Sequence, residues 1–201
     1  MSGNRVPSKT IYSEISSLNV KGKSILDAGC GEGLYLDVLL NLKPKKIYAI
    51  DKSAERINNL KKIYGTKNLF FLTGNLEKLN FKDSSFDLIF CSRVLSYVNN
   101  RAALREIQRV LKRRGYLIIQ TMQFGYYLRE LLRGDLKRIT SFINFVFSTI
   151  FNRRLFSNLD DIDSEYKIRK NIKNLVVVRK VIFEKFLGFL VYSLYILKKR
   201  S

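Results

Sequence analysis

The stretch "ILDAGCGEGLYL", residues 25–36, constrains this chain more than any other. Three of its eleven glycines, Gly29, Gly31 and Gly33, fall within five positions. An apolar run leads into Asp27, the glycines turn the chain, and "LYLDVLLNL" follows with helical periodicity. The order is strand, tight turn, helix. A turn so cleared of side chains on both sides of Cys30 lets a ligand lie against peptide groups. A helix N-terminus there offers free N–H donors and a positive dipole end to an anionic group.

Four further strand-like runs follow: "KIYAID" (46–51), "NLFFLTG" (68–74), "FDLIFCS" (86–92) and "GYLIIQT" (115–121). With "SILDAG" (24–29) they alternate with helical segments, which predicts βαβ units and a parallel sheet covered on both faces. Ser53 and Asn99 or Asn100 suit helix N-caps, and Gly65 suits a left-handed position just after a helix. The basic tail "KRRG" suits a helix C-terminus that ends at Gly115. Near the end, "NLVVVRKVIF" (174–183) and "FLVYSLYILKKR" (189–200) read as an antiparallel strand pair. The expected fold is α/β: a Rossmann-like, mostly parallel sheet of about seven strands with helices on both faces, a helical insertion and a terminal antiparallel pair.

The glycine spacing departs by one residue from the G-x-G-x-x-G of a dinucleotide site, since Leu34 stands at the third glycine position. Asp27 ahead of the turn instead suits a ligand carrying both a carboxylate and a cation. Asp51, 22 residues after Gly29, ends the second strand, where an acid can accept two ribose hydroxyls. Asn75 and Leu76 follow the third strand, where an amide and an apolar neighbour can border an adenine. Amino acid, sulfonium, ribose and adenine in one row describe S-adenosylmethionine.

Residues 24–121 closely resemble the class I S-adenosylmethionine-dependent methyltransferases of the small-molecule, type 11-like group. "ILDAGCGEG", "YAIDKS", "FDLIFCSRVLSYVNN" and "LKRRGYLIIQT" stand in that family's motif order. The resemblance implies that Asp27, Gly29, Cys30, Gly31 and Gly33 hold the methionine part and Asp51 the ribose. It places Lys52, Asn75 and Leu76 around the adenine, and Ser92 and Arg93 at the methyl-transfer mouth. It assigns no catalytic residue. Asn75 stands where the family often has Asp, and Ser96 and Tyr97 stand where it often has histidines. Packing of Tyr97 on the following helix is the expected role for that ring.

The chain contains no histidine, which removes the commonest general base and metal ligand. No metal site is expected. Cys30 and Cys91 form no disulfide framework, so a reducing cytoplasm is the default location. Lys and Arg exceed Asp and Glu by 20, and the excess is spread, +11 over residues 1–123 and +9 over the rest. It reads mainly as a solvated face.

One domain over 1–201 is expected. It comprises an N-terminal helical segment (1–23), the cofactor-binding core (24–121), a helical lid and loop (122–173) and the strand pair (174–201). Within the lid, residues 126–156 are basic and apolar-periodic, with Phe142, Phe145, Phe147 and Phe151 in excess of one packing face. That pattern suits a lipid-like acceptor and a peripheral contact with the inner face of a membrane. The expected activity is methyl transfer to a small-molecule or lipid-like acceptor by in-line displacement. The alternatives are an RNA methyltransferase, which the charge permits, and a non-catalytic partner subunit. The oligomeric state has no sequence signature.

Overall fold

The computed structural model describes residues 9–65, 67–122, 129, 132, 172, 174–186 and 189–200. The elements run α1 (Lys9–Ser16), β1 (Ser24–Ala28), α2 (Leu36–Asn41), β2 (Lys46–Asp51), α3 (Ala54–Ile63) and β3 (Leu69–Thr73). They continue with β4 (Phe86–Ser92), a 3₁₀ turn (Leu95–Tyr97), α4 (Asn100–Val110), β5 (Leu111–Met122), β6 (Leu175–Phe186) and β7 (Phe189–Lys199). The predicted lid, 126–156, lies outside the described residues apart from positions 129 and 132.

Seven strands form one sheet in the order β3-β2-β1-β4-β5-β7-β6. The first five are parallel, and β7 enters antiparallel between β5 and β6. The order reverses between β1 and β4, so the crevice at their carboxyl ends is where a ligand of such a sheet sits. Strand alternation sends Ile25, Leu88, Phe90 and Ile118 to the α1–α2–α3 face. Leu26, Ile89, Cys91 and Ile119 go to the α4 face. Both faces are covered over the central strands β1, β4 and β5, which explains why these read as nearly continuous apolar runs, while Phe70 and Leu72 of the edge strand β3 are exposed.

Helix starts follow their sequence signals. The Ser53 hydroxyl accepts from Arg56 N and the Asn99 amide oxygen from Ala102 N, each satisfying a free donor of the first turn. Helix ends differ from expectation. The predicted αL residue Gly65 does not take a positive φ, and α3 closes on Tyr64 in extended geometry. Nor does "KRRG" finish α4, which stops at Val110. Leu111 already pairs with Phe86, and residues 112–115 bulge out before Tyr116 rejoins opposite Leu88. Two contacts favour that exit over another helical turn. Lys112 Nζ bonds Asp87 at 2.9 Å, and Leu111 is wholly buried in the sheet core. Only glycine fits at 115, where a Cβ would lie 2.9 Å from the Lys112 carbonyl oxygen and 3.0 Å from that of Asp87.

Arg109 ties the strand-free stretch 76–85 to α4. Its guanidinium donates to the Leu79 and Phe81 carbonyls and to Glu106 and Asp83. Those partners hold its pKa above the usual arginine value, the bonded carboxylate of Glu106 first. Arg109→Met leaves the Leu79 and Phe81 carbonyls and the part-buried Glu106 carboxylate short of a donor, so it should cost roughly 3 kcal/mol in urea unfolding. Unchanged stability would show that the stretch is held by its apolar contacts alone.

Candidate functional site

The carboxyl ends of β1, β2, β4 and β5 bring Asp27, Asp51, Ser92 and Gln120 to one rim of the sheet. Asp27 lies at 3 % exposure on the α1–α2–α3 face of β1. Among the described residues no donor reaches its carboxylate. Burial, with the nearby charge of Asp51 adding to it, pushes its pKa up to about 7. A buried carboxylate without a donor is a place made for a cation.

Gly29, Gly31 and Gly33 all take positive φ, at 82°, 55° and 81°. Their roles differ. A Cβ on Gly29 would meet Val94 Cγ2 at 2.5 Å, and one on Gly33 would meet Leu60 Cδ2 at 2.6 Å. Those two glycines clear space for the protein's own side chains. A Cβ on Gly31 would meet nothing within 4 Å. Of the three, Gly31 alone borders open space, so the clearance for a ligand that the sequence suggests at all three belongs to it.

The donors of the turn are largely committed within the protein. Gly29 N and Cys30 N donate to the Ile50 carbonyl, Gly33 N to the Cys30 carbonyl, and Gly31 N to Asp51 Oδ2 at 2.9 Å. The helix behind the turn, α2, has six residues and begins only at Leu36. The expected anion cradle at a helix start is therefore not what the turn presents. Asp51, 7 % exposed, also accepts from Ser53 N through Oδ1 at 2.9 Å, with Arg56 3.9 Å away. Each of its oxygens keeps one lone pair for a further hydroxyl.

The remaining predicted residues are spread along the same rim. Lys52 is exposed beside Asp51. Asn75 is exposed, its Oδ1 accepting from Glu77 N at 2.9 Å, and Leu76 is buried in the core beneath it. Cys30 is buried, and burial, then the charges of Asp27 and Asp51, push its thiol up, away from any nucleophilic role. Arg93 stands at φ 55° directly after β4. Tyr97 departs from expectation: at 66 % exposure it does not pack on α4. The 3₁₀ turn before α4 directs Leu95 inward in its place.

Sequence reasoning missed two groups. Gln120 Oε1 accepts from Tyr35 Oη at 2.8 Å and from Ser92 Oγ at 2.7 Å. Both acceptor positions of the amide oxygen are filled, which leaves its N–H groups as the free chemistry. The sequence carried a signal for Gln120, a polar residue inside the apolar run "YLIIQT". It carried none for Tyr35, which reads as a core aromatic and does pack edge-on against Phe90.

The arrangement fits S-adenosylmethionine on two observations: the carboxylate of Asp27, with no donor among the described residues, can take an ammonium, and Gly31 leaves the space beside it unfilled. Residues 26–119 match the methyltransferase domain family. Over 148 residues the chain is 31 % identical to malonyl-[acyl-carrier protein] O-methyltransferase 2 of Ilyobacter polytropus, covering 72 % of this chain and 55 % of that protein. Over 108 residues it is 34 % identical to the tRNA U34 carboxymethyltransferase of Campylobacter curvus, covering 52 % and 36 %. The chain thus spans from about a third to just over half of these relatives' lengths. In fold it is similar to an S-adenosylmethionine-dependent methyltransferase from Mesorhizobium loti. The TM-score is 0.71 at 14 % identity, over 98 % of this chain and all of that one.

Proposed function

We propose that this chain, whose residues 26–119 match the methyltransferase domain family, is a class I S-adenosylmethionine-dependent methyltransferase that transfers a methyl group to a small-molecule or lipid-like acceptor. The observation that carries the reading is the buried carboxylate of Asp27, which no donor among the described residues reaches, together with the open side of Gly31. The bound cofactor supplies a methyl group already activated on a sulfonium. The protein's work is then orientation and exclusion of water, which is compatible with a chain without histidine.

In this reading Asp27 takes the cofactor's ammonium and Asp51 accepts ribose hydroxyls. Lys52, Asn75 and Leu76 border the adenine. Gly29, Cys30 and Gly33 shape the turn, and Ser92 is held by Gln120 at the mouth. We read residues 1–201 as one domain, with 122–173 as the lid that selects the acceptor. Among the described residues no helix is long and apolar enough to cross a membrane. A peripheral membrane contact through 126–156 remains part of the proposal, supported by its basic and phenylalanine-rich sequence.

RNA as acceptor is the second reading, favoured by the similarity to a tRNA U34 carboxymethyltransferase. Formation of S-adenosylhomocysteine separates the two. Turnover with an extracted metabolite and lipid pool supports the first reading, and turnover with total tRNA alone replaces it by the second. Binding of S-adenosylhomocysteine without turnover on either pool points to a non-catalytic subunit.

Asp51→Ala should weaken S-adenosylhomocysteine binding in calorimetry by about 2–4 kcal/mol. It removes the acceptor for the ribose and releases the N–H groups of Gly31 and Ser53 from their partner. Equal affinity of the variant and the wild type would remove Asp51 from the site.

A further inference from the structure

The basic excess that is diffuse in sequence is gathered in space. The segments entering the parallel strands (20–24, 43–46, 67–69, 82–87 and 111–115) and the one leaving β7 (198–200) all lie at the rim opposite the carboxyl ends. Together they hold thirteen Lys and Arg residues and two acids. Both acids are engaged, Asp83 by Arg109 at 2.7 Å and Asp87 by Lys112 at 2.9 Å. The segments are laced side by side: Gly22 N bonds the Lys43 carbonyl, Lys45 N the Lys23 carbonyl, and Lys199 Nζ the Leu111 carbonyl. At the bulge over 112–115, Arg113 and Arg114 are both exposed.

We propose that this strand-entry rim docks the phosphate backbone of a base-paired RNA. From β3 to β7 the cations cross six strands, a path of about 24 Å at the usual strand spacing. A line of cations of that length, exposed apart from Lys112 and Lys199, which are held by Asp87 and by backbone carbonyls, matches a phosphate chain, which is held by charge and shape without base contacts. Single-stranded RNA needs a row of aromatic platforms. The exposed rings near the rim, Tyr12 and Phe70, stand on opposite faces of the sheet, and Phe70 is stacked on Tyr48. A bilayer contact by an amphipathic surface needs an apolar stripe among the cations. Among the described residues of these segments no large apolar side chain is exposed. The rim lies a full strand length from Asp27 and Asp51, so a docked RNA leaves the cofactor end open. The inference holds whichever acceptor is methylated.

Fluorescence anisotropy with a labelled 20-base-pair RNA duplex tests it on the full chain. The expected result is binding whose logarithm falls linearly with log salt, with a slope reporting several released counterions. The Lys21→Glu/Lys45→Glu/Arg113→Glu variant should lose about three units of that slope and at least tenfold in affinity at moderate salt. Lys78→Glu/Arg101→Glu/Arg105→Glu makes the same charge change away from the rim and should lose far less. Affinity for S-adenosylhomocysteine in all three proteins verifies the fold, and it is also the readout on which the methyltransferase reading stands or falls by itself. Equal losses in the two triple variants would reduce the effect to net charge and overturn the docking surface. Capture by phosphatidylserine vesicles with no retention of the duplex would overturn RNA as its occupant.

Discussion

Asp27→Asn should raise the thermal midpoint of the cofactor-free protein at pH 8 by about 10 °C and at the same time abolish measurable cofactor binding. The folded protein holds the Asp27 proton up to about pH 7, whereas an unfolded chain releases it near 3.8, the ordinary value for an aspartate. Between those values the unfolded state binds fewer protons, so stability falls as pH rises. Above pH 7 the full penalty stands, on the order of 4 kcal/mol for a gap of this size. Asparagine keeps the shape and cannot ionise. For a chain of this length each kcal/mol moves the midpoint by roughly 2–4 °C. The same charge that destabilises the empty protein is what an ammonium needs. Wild-type affinity for S-adenosylhomocysteine should therefore drop about tenfold per pH unit below 7. A wild-type midpoint independent of pH between 5 and 8, or undiminished binding by Asp27→Asn, would refute this role.

Gly31→Val should leave a folded protein that binds S-adenosylhomocysteine at least a hundredfold more weakly. The new side chain enters the one open side of the turn, where a Cβ meets no protein atom within 4 Å. At φ 55° it adds backbone strain of about 1–2 kcal/mol, which a domain of this size survives. Gly29→Ala should behave in the opposite way. Its Cβ is driven 2.5 Å from Val94 Cγ2, so the loss appears first in stability. Val94→Ala should restore part of it, because both Cγ atoms go while the Cβ at 2.8 Å and the φ of 82° remain. Calorimetry for binding and urea unfolding for stability separate the two classes. A Gly31→Val protein with normal affinity would exclude ligand approach from that side.

Sequence alone determined what depends on local rules. Strand–helix alternation fixed a doubly covered parallel sheet, because each element needs its apolar face buried. Ser53 and Asn99 announced two helix starts, because their side chains can answer free N–H groups there. The glycine triplet and the acids at the ends of β1 and β2 marked the ligand rim, since strand ends of such sheets converge on it.

Tertiary structure decided what depends on neighbours distant in sequence. The triplet reads as three equivalent clearances until Val94 and Leu60 arrive to fill two of them. "KRRG" has the charge and glycine of a helix end, yet Asp87 and the sheet core draw it into a bulged strand entry. Gln120 becomes a hub because Tyr35, 85 positions away, and Ser92, 28 away, converge on its one amide oxygen. The charge excess looks even along the chain because each strand entry contributes only one to three cations. Folding stacks those entries along one edge. Patterning within a few residues is legible because it obeys the periods of helix and strand. The ionisation of Asp27, the split among the glycines and the basic rim are set by which segments the sheet order makes adjacent.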